Sequence, residues 1–134
     1  MSQEKIKANK QEKYIEFQML SSQYQKLSEQ LQALEQQILD LSALDINLED
    51  LSKVKDNTQI LVPFGSGILV PAQIKSSKLL VNVGSNTLVE KNTEESRQVV
   101  RKQVNDLQKI QEQYQKELSK LGVSIQILQR QLTK

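Results

Sequence analysis

Two long stretches of apolar residues, spaced alternately three and four apart, flank the middle of this 134-residue chain. This spacing is typical of the a and d positions of a coiled coil, so it predicts helices that pack lengthwise on a partner helix. The first seam consists of Phe17, Leu20, Tyr24, Leu27, Leu31, Leu34, Ile38 and Leu41. The second consists of Val100, Val104, Leu107, Gln111, Tyr114, Leu118, Leu121, Ile125, Leu128 and Leu132.

The end of the first helix is predicted near Leu44. Beyond it, Leu48 and Leu51 continue the apolar pattern only with a skipped residue, as at a stammer or a helix end. We therefore interpret residues 45–50, DINLED, as a connector in which Asn47 can cap a short following helix.

The second helix has a clear start signal. Asn92 and Thr93 are good N-cap residues, and Glu95 follows Asn92 by three residues as in a capping box. Each flank is about 40 residues long, or roughly 60 Å of helix. Such matched lengths favour an antiparallel coiled coil within one chain. A parallel homodimer is the competing arrangement, and nothing in the sequence favours it.

The segment between the flanks, residues 60–91, differs sharply from them. It holds both prolines and three of the four glycines of the chain. Apolar residues alternate on either side of Gly65-Ser66-Gly67 and again on either side of Gly84-Ser85-Asn86, which predicts two β-hairpins. The domain organisation predicted is thus one domain, with helices over 1–44 and 92–134 and the connector and hairpins over 45–91.

The predicted strands are apolar on both faces, which is typical of strands that are covered on both sides. Two hairpins alone are marginally stable in water, and their open edges attract other strands. A small sheet packed on its own coiled coil would have only one face covered, so we expect the hairpins to join those of other subunits. The residues expected to carry this assembly are Ile60, Val62, Phe64, Ile68, Val70, Leu80, Val81, Val83 and Val89.

Composition argues against several function classes. Eighteen basic residues nearly balance sixteen acidic ones and are interspersed with them, which argues against a nucleic-acid-binding role. Cysteine and histidine are absent, so the commonest metal ligands and the commonest general base are missing. No apolar run is long enough to span a bilayer, and the N-terminal residues lack a signal-peptide pattern. We expect a cytoplasmic protein with no membrane partner, no metal, no cofactor and no enzymatic activity.

The order helix, two hairpins, helix resembles the α-type subunit of prefoldin, an archaeal and eukaryotic chaperone. The resemblance is carried by ILVPFGSGILVPAQI at residues 60–74 and by LLVNVGSNTLVEK at residues 79–91. It implies an α+β fold in which a long antiparallel coiled-coil hairpin carries two central β-hairpins that join an intersubunit β-barrel. Two hairpins match the α type, because β-type subunits carry one.

The resemblance also implies the partners. They are β-type prefoldin subunits in an α2β4 hexamer, unfolded client proteins, and a group II chaperonin that receives the clients without nucleotide. The sequence has no Gly-rich phosphate-binding motif, in agreement with this. The alternative is a structural α-like chain that assembles into a homo-oligomeric filament or scaffold.

Client binding is expected at the helix ends far from the hairpins, where a coiled coil frays and exposes apolar residues. Pairing the helices from residues 44 and 97 outward brings Phe17 near Ser124 and Ile6 near Leu132. The expected client-binding residues are Ile6, Tyr14, Phe17, Met19, Val123, Ile125, Ile127, Leu128 and Leu132. The alternative is that these residues only close the end of the coiled coil.

Overall fold

The computed structural model describes residues 3–76 and 78–133 and divides the chain into two compact units. The helix-pair unit comprises residues up to 38 together with those from 106 onward, and the hairpin unit comprises residues 39–105. The elements in chain order are α1 (Gln3–Ser52), β1 (Gln59–Gly65), β2 (Ile68–Gln73), β3 (Leu79–Asn82), β4 (Leu88–Lys91) and α2 (Thr93–Leu132). The predicted fold of two long helices and two β-hairpins is confirmed.

The predicted seams coincide with the less exposed positions of both helices. All predicted seam residues except Tyr24 are half-buried or buried, whereas most residues between them are exposed. Within the helix-pair unit the two segments run antiparallel. Tyr24 lies against Gly122, and Tyr14, which comes earlier on α1, shares a depression with Leu132, which comes later on α2.

The first helix does not end near Leu44; it continues to Ser52, so the predicted connector and the capping role of Asn47 are wrong. The seam continues through Asp45, four residues after Leu41, and through the buried Leu48. A carboxylate at a seam position is tolerated because two arginines of α2 lie against it, as described below. This polar residue made the pattern look interrupted.

The longer first helix also shifts the pairing within the helix-pair unit. Because Leu132 lies beside Tyr14 and Ile15, the predicted contact between Ile6 and Leu132 is wrong. Ile6 lies eight residues earlier on α1, about 12 Å along the helix axis. By the same shift, the Tyr24–Gly122 contact places Phe17 near residue 129 and not near Ser124.

The start of α2 is a capping box, as predicted. The backbone N–H of Glu95 donates to Oδ1 of Asn92 at 2.7 Å, and the N–H of Asn92 lies 3.5 Å from Oε1 of Glu95. These bonds satisfy donors that the first helical turn leaves without partners. The buried Ser96 donates its hydroxyl to the carbonyl of Asn92 at 2.9 Å, so this buried hydroxyl has a partner.

Strands β1 and β2 form an antiparallel hairpin with Val62 opposite Val70. Its turn is Ser66-Gly67, with φ angles of 47° and 79°, the signs that a type I′ turn requires. Strands β3 and β4 form a second antiparallel hairpin with Val81 opposite Val89. The two hairpins are separate two-stranded sheets, so each of the four strands has one edge that is not paired within the described chain.

Candidate functional site

The apolar side chains of the hairpins are mostly exposed. Phe64 is 79% exposed, and most other apolar strand residues are exposed on both faces of their hairpin. Exposed apolar surface of this extent marks an interaction site. The residues predicted for assembly that are exposed are Ile60, Val62, Phe64, Ile68, Val70, Leu80, Val83 and Val89.

The two faces of each hairpin differ in exposure. In the first hairpin, the face that carries Val62 and Val70 is less exposed than the face that carries Leu61 and Leu69. In the second, Val81 is half-buried, whereas its neighbour Leu80 is 65% exposed. Val83 was predicted to lie in a strand, but it follows the end of β3, and its N–H donates to the carbonyl of Thr87 at 3.0 Å.

A second set of exposed apolar residues lies in the helix-pair unit, on the sides of the helices that face away from the seam. Ile15 and Met19 lie four residues apart on α1, and Val123 and Ile127 lie four residues apart on α2. Counted from the seams, both pairs occupy heptad positions f and c, which point away from the partner helix. All four are between 50% and 58% exposed. We call these four residues the outer apolar pairs.

The other residues predicted to bind clients divide into two groups. Ile6 and Tyr14 are exposed, and all residues from 3 to 12 are exposed as well. Leu128, in contrast, is only 8% exposed. The half-buried seam residues in the predicted set are Phe17, Ile125 and Leu132. Contact between a client and these seam residues requires the end of the helix pair to open.

Tyr14 and Leu132 line an open depression at the end of α2, together with Ile15 and the side chains of Lys10 and Gln11. Most of its lining is apolar, and residues of both helices contribute to it. Ile15 was not among the residues predicted to bind clients. It lies four residues before Met19, so the spacing that singled out Met19 also applied to it.

An ionic cluster lies in the hairpin unit, where the seam is polar. Nε of Arg97 contacts Oδ1 of Asp45 at 3.0 Å, and Nε of Arg101 contacts Oδ2 at 3.2 Å. Arg97 also lies 3.5 Å from Glu49 through Nη2. The hydrogen bond from Arg97 lowers the pKa of Asp45 below its ordinary value of 3.8, despite partial burial, and the same bond raises the pKa of Arg97.

The cluster has no feature of a catalytic or metal site. Both arginines are donors only, and Asp45 accepts from both, so each charge has a partner. Among the residues that the structure describes, no three acidic side chains are grouped as a metal ion would require. Neither helix, over its described residues, has a stretch apolar enough to cross a membrane.

Comparisons with known proteins agree with the fold. Residues 20–134 match the family model described as Prefoldin subunit. The chain is 34% identical over 89 residues to prefoldin subunit alpha of Thermofilum pendens, covering 66% of this chain and 69% of that one. It is 29% identical over 86 residues to prefoldin subunit alpha 1 of Methanocaldococcus jannaschii, covering 64% of this chain and 61% of that one.

A solved structure shows the same fold. It is a cryo-EM structure of filamentous PFD from Methanocaldococcus jannaschii, similar at a TM-score of 0.73 and 22% sequence identity. The match covers 85% of this chain and 95% of that chain. At this identity the likeness concerns the fold of the chain.

Proposed function

Because the chain belongs to the prefoldin family as an α-type subunit, we propose that it is a subunit of an ATP-independent holdase. Chaperone-type function follows from the family. In the proposal, the chain assembles with β-type subunits into an α2β4 hexamer through its hairpins. The helix-pair unit holds unfolded client proteins, and a group II chaperonin receives them; this last step rests on the family alone.

The observation that carries the holding function is the exposure of the outer apolar pairs. A coiled coil needs apolar residues only at its seam, and apolar residues at f and c positions reduce solubility without adding to helix pairing. Unfolded proteins expose apolar side chains in no fixed geometry, and the flexible thioether of Met19 suits such partners. Each pair offers little area, so affinity requires several subunits to act on one client.

The free end adds further apolar surface. Ile6 and Tyr14 are exposed, and the depression at Tyr14, Ile15 and Leu132 is open to solvent. Local opening of the last turns would add Phe17, Ile125 and Leu128 to this surface, because helix ends open more readily than helix centres. The proposed client-binding surface therefore comprises the outer apolar pairs first and the seam residues on opening.

The test replaces the four outer apolar residues by serine, as Ile15→Ser, Met19→Ser, Val123→Ser and Ile127→Ser together. The seam stays intact, so helix content and native mass should not change. The variant should suppress the aggregation of a chemically unfolded model protein much less than the unsubstituted protein does. In the unsubstituted protein, this suppression should be the same with and without ATP and magnesium. The measurement is light scattering of the aggregating client at a fixed ratio of subunit to client.

The matched control is Leu39→Ser with Ile46→Ser. These residues are also on α1, also off the seam, and 63% and 60% exposed, but they belong to the hairpin unit. The control should protect the client as well as the unsubstituted protein does. Equal protection by the fourfold variant would exclude the outer apolar pairs as the client-binding surface.

The alternative function is structural, a homo-oligomeric filament or scaffold. It uses the same exposed hairpins, and the solved structure of the same fold is filamentous. Mass measurement of the chain alone and in a mixture with a β-type subunit separates the two functions. A long polymer of the chain alone that a β-type subunit does not dissolve would support the filament.

A further inference from the structure

Two charged residues, one on each helix, continue the seam between α1 and α2. Asp45 follows Leu41 by four residues on α1, and Arg97 precedes Val100 by three residues on α2, so both keep the heptad spacing. Their side chains are only 20% and 16% exposed, and Nε of Arg97 contacts Oδ1 of Asp45 at 3.0 Å. All the predicted seam residues are uncharged. We call Asp45 and Arg97 the charged layer.

The uncharged part of the seam does not by itself fix the helix register, that is, which residues of α1 lie beside which residues of α2. Apolar residues recur at the same heptad positions along both helices, so a shift by one heptad again places apolar residues against apolar residues. One register is observed. Tyr24 lies against Gly122. Asp45, 21 residues later on α1, contacts Arg101, 21 residues earlier on α2, so both contacts belong to the same register.

The charged layer distinguishes this register from the one a heptad away. In the observed register, Asp45 accepts from Nε of both Arg97 and Arg101. A shift of α2 by one heptad would put Val104 and Gln108 in the places of the two arginines. The carboxylate would then be covered without a cation beside it, which is costly because it has lost both its hydration and its partners.

Two other arrangements are disfavoured by the same carboxylate. A shift of α2 by one heptad in the opposite direction would put Glu94 in the place of Arg101, so two acidic side chains would repel each other. In a parallel homodimer, identical seam positions face each other, so Asp45 would meet the same residue of a second copy. The antiparallel pairing within one chain, in its observed register, provides Asp45 with cations.

We propose that the charged layer, supported by Arg101, fixes the register of α1 against α2, and that apolar residues at its two positions would pair the helices without fixing it. A covered ion pair adds little net stability compared with apolar residues of similar size, because both charges lose hydration. Removal of one charge alone is different, since it leaves the partner unpaired. The proposal is independent of whether the chain holds clients or forms a filament.

The helix register determines which residues meet at the free end of the helix pair. In the observed register, Leu132 shares a depression with Tyr14 and Ile15. A shift of one heptad would bring Leu132 beside Lys7 or Ser21, so a polar side chain would take the place of Tyr14. The charged layer therefore acts as a positioning element for this apolar surface.

Pulsed electron paramagnetic resonance measures the register in the full chain. The chain has no cysteine, so nitroxide labels can be attached at Ser22→Cys on α1 and Lys109→Cys on α2. Both residues are exposed and are offset along the helix axis. A shift of one heptad, about 10 Å, should change the distance between the labels by roughly 5 Å or more. Dilution into an excess of unlabelled chains restricts the measurement to distances within one chain.

A pair of double variants separates register from stability. Asp45→Leu with Arg97→Leu makes the charged layer apolar. This variant should keep its helix content and keep or raise its midpoint of thermal unfolding, but it should show more than one label distance. The matched control is Glu49→Leu with Arg101→Leu, which removes two more exposed charges one turn further along each helix. The control keeps the charged layer and should show the single distance of the unsubstituted protein.

Reversal of the charges provides a second test. The reversed variant exchanges the acidic and basic residues between the helices, as Asp45→Arg, Glu49→Arg, Arg97→Asp and Arg101→Asp together. In the observed register both charges of the reversed layer have partners of opposite sign. In either shifted register at least one of them loses its partner. The reversed variant should therefore show the same single distance as the unsubstituted protein.

Three results would overturn the proposal. A single, unchanged distance in Asp45→Leu with Arg97→Leu would show that apolar packing alone fixes the register. Several distances in the control or in the reversed variant would show that the charged layer is not sufficient. Loss of helix content in the apolar variant would show that the charges are needed for folding itself and not for the choice of register.

Discussion

The two units of the chain differ in how much of their apolar surface is covered. In the helix-pair unit, the seam residues of α1 and α2 cover one another, and Leu128 is 8% exposed. In the hairpin unit, the apolar strand residues have little to cover them, and Phe64 is 79% exposed. Burial of an apolar side chain stabilises by about 1.5–3 kcal/mol, so the hairpins have most of this stabilisation still to gain. The comparison supports the proposal that other chains cover the hairpins, whereas the seam of the helix pair is covered within one chain.

The largest expected effect comes from a charge on the hairpins. Val81→Asp places a carboxylate on a half-buried apolar face, and a carboxylate that must remain hydrated prevents that face from being covered. The native mass should fall to the 15.3 kDa of the single chain, with helix content largely retained.

The matched substitution in the other unit is Val123→Asp. Val123 is exposed on α2, away from the seam, so this variant should keep its native mass. An unchanged mass for Val81→Asp, or equal loss of assembly in both variants, would contradict the difference between the units.

A smaller effect is expected at the polar position of the seam. Asp45→Asn removes the charge that Arg97 and Arg101 contact, so the midpoint of thermal unfolding, followed by helical circular dichroism, should fall at neutral pH. The pKa of Asp45 is lowered in the folded chain, so its stabilisation is present above 3.8 and is lost as the pH falls through the lower folded value. The difference between the two proteins should therefore disappear in acid.

The control for this pH dependence lies in the helix-pair unit. Glu29 is an exposed acidic residue on the same helix, and Glu29→Gln should change the midpoint little at neutral pH. A difference between Asp45→Asn and the unsubstituted protein that stays constant from neutral pH into strong acid would show that the ionic cluster does not stabilise the fold.

The smallest effects are expected when one glycine in each unit is replaced by alanine. The replacement should stabilise the helix-pair unit and destabilise the hairpin unit. A Cβ at Gly122 would lie 3.8 Å from Cε2 of Tyr24, an ordinary contact, so Gly122→Ala should raise the free energy of unfolding by about 1 kcal/mol through helix propensity. Gly67 has a φ of 79°, and Gly67→Ala should destabilise the first hairpin by about 1–2 kcal/mol.

Urea denaturation measures the first of these effects, and the concentration dependence of the native mass measures the second. If Gly122→Ala destabilised the chain, the contact between Tyr24 and Gly122 would be tighter than described, and the pairing of the helices derived from it would need revision.

The sequence predicted which helices and hairpins form better than it predicted where the helices begin and end. The heptads from Phe17 to Leu41 and from Val100 to Leu132 identified both helices, because apolar periodicity reports packing directly. The glycines at the two turns identified both hairpins, because only a few residue types adopt a positive φ easily. These signals are local, and a single chain carries them in full.

The local sequence pattern misled where its meaning depended on a distant residue. The first helix was predicted to end near Leu44, because the apolar pattern skips there. Only Arg97 and Arg101, more than fifty residues after Asp45, explain how Asp45 continues the seam. That error moved the pairing of the helices and misplaced Ile6 relative to Leu132. Ile15 could have been found from its spacing to Met19, whereas the different exposure of the two faces of each hairpin required the register of the strands.

The central claim, that the hairpins are completed by other chains, is tested most directly by the native molar mass of the unsubstituted protein. Light scattering after size exclusion would be measured on the chain alone and on its mixture with a β-type prefoldin subunit. The account predicts that the mixture contains a defined hetero-oligomer and little of the 15.3 kDa species. A chain that remains at 15.3 kDa in both samples, with its hairpins folded, would contradict it.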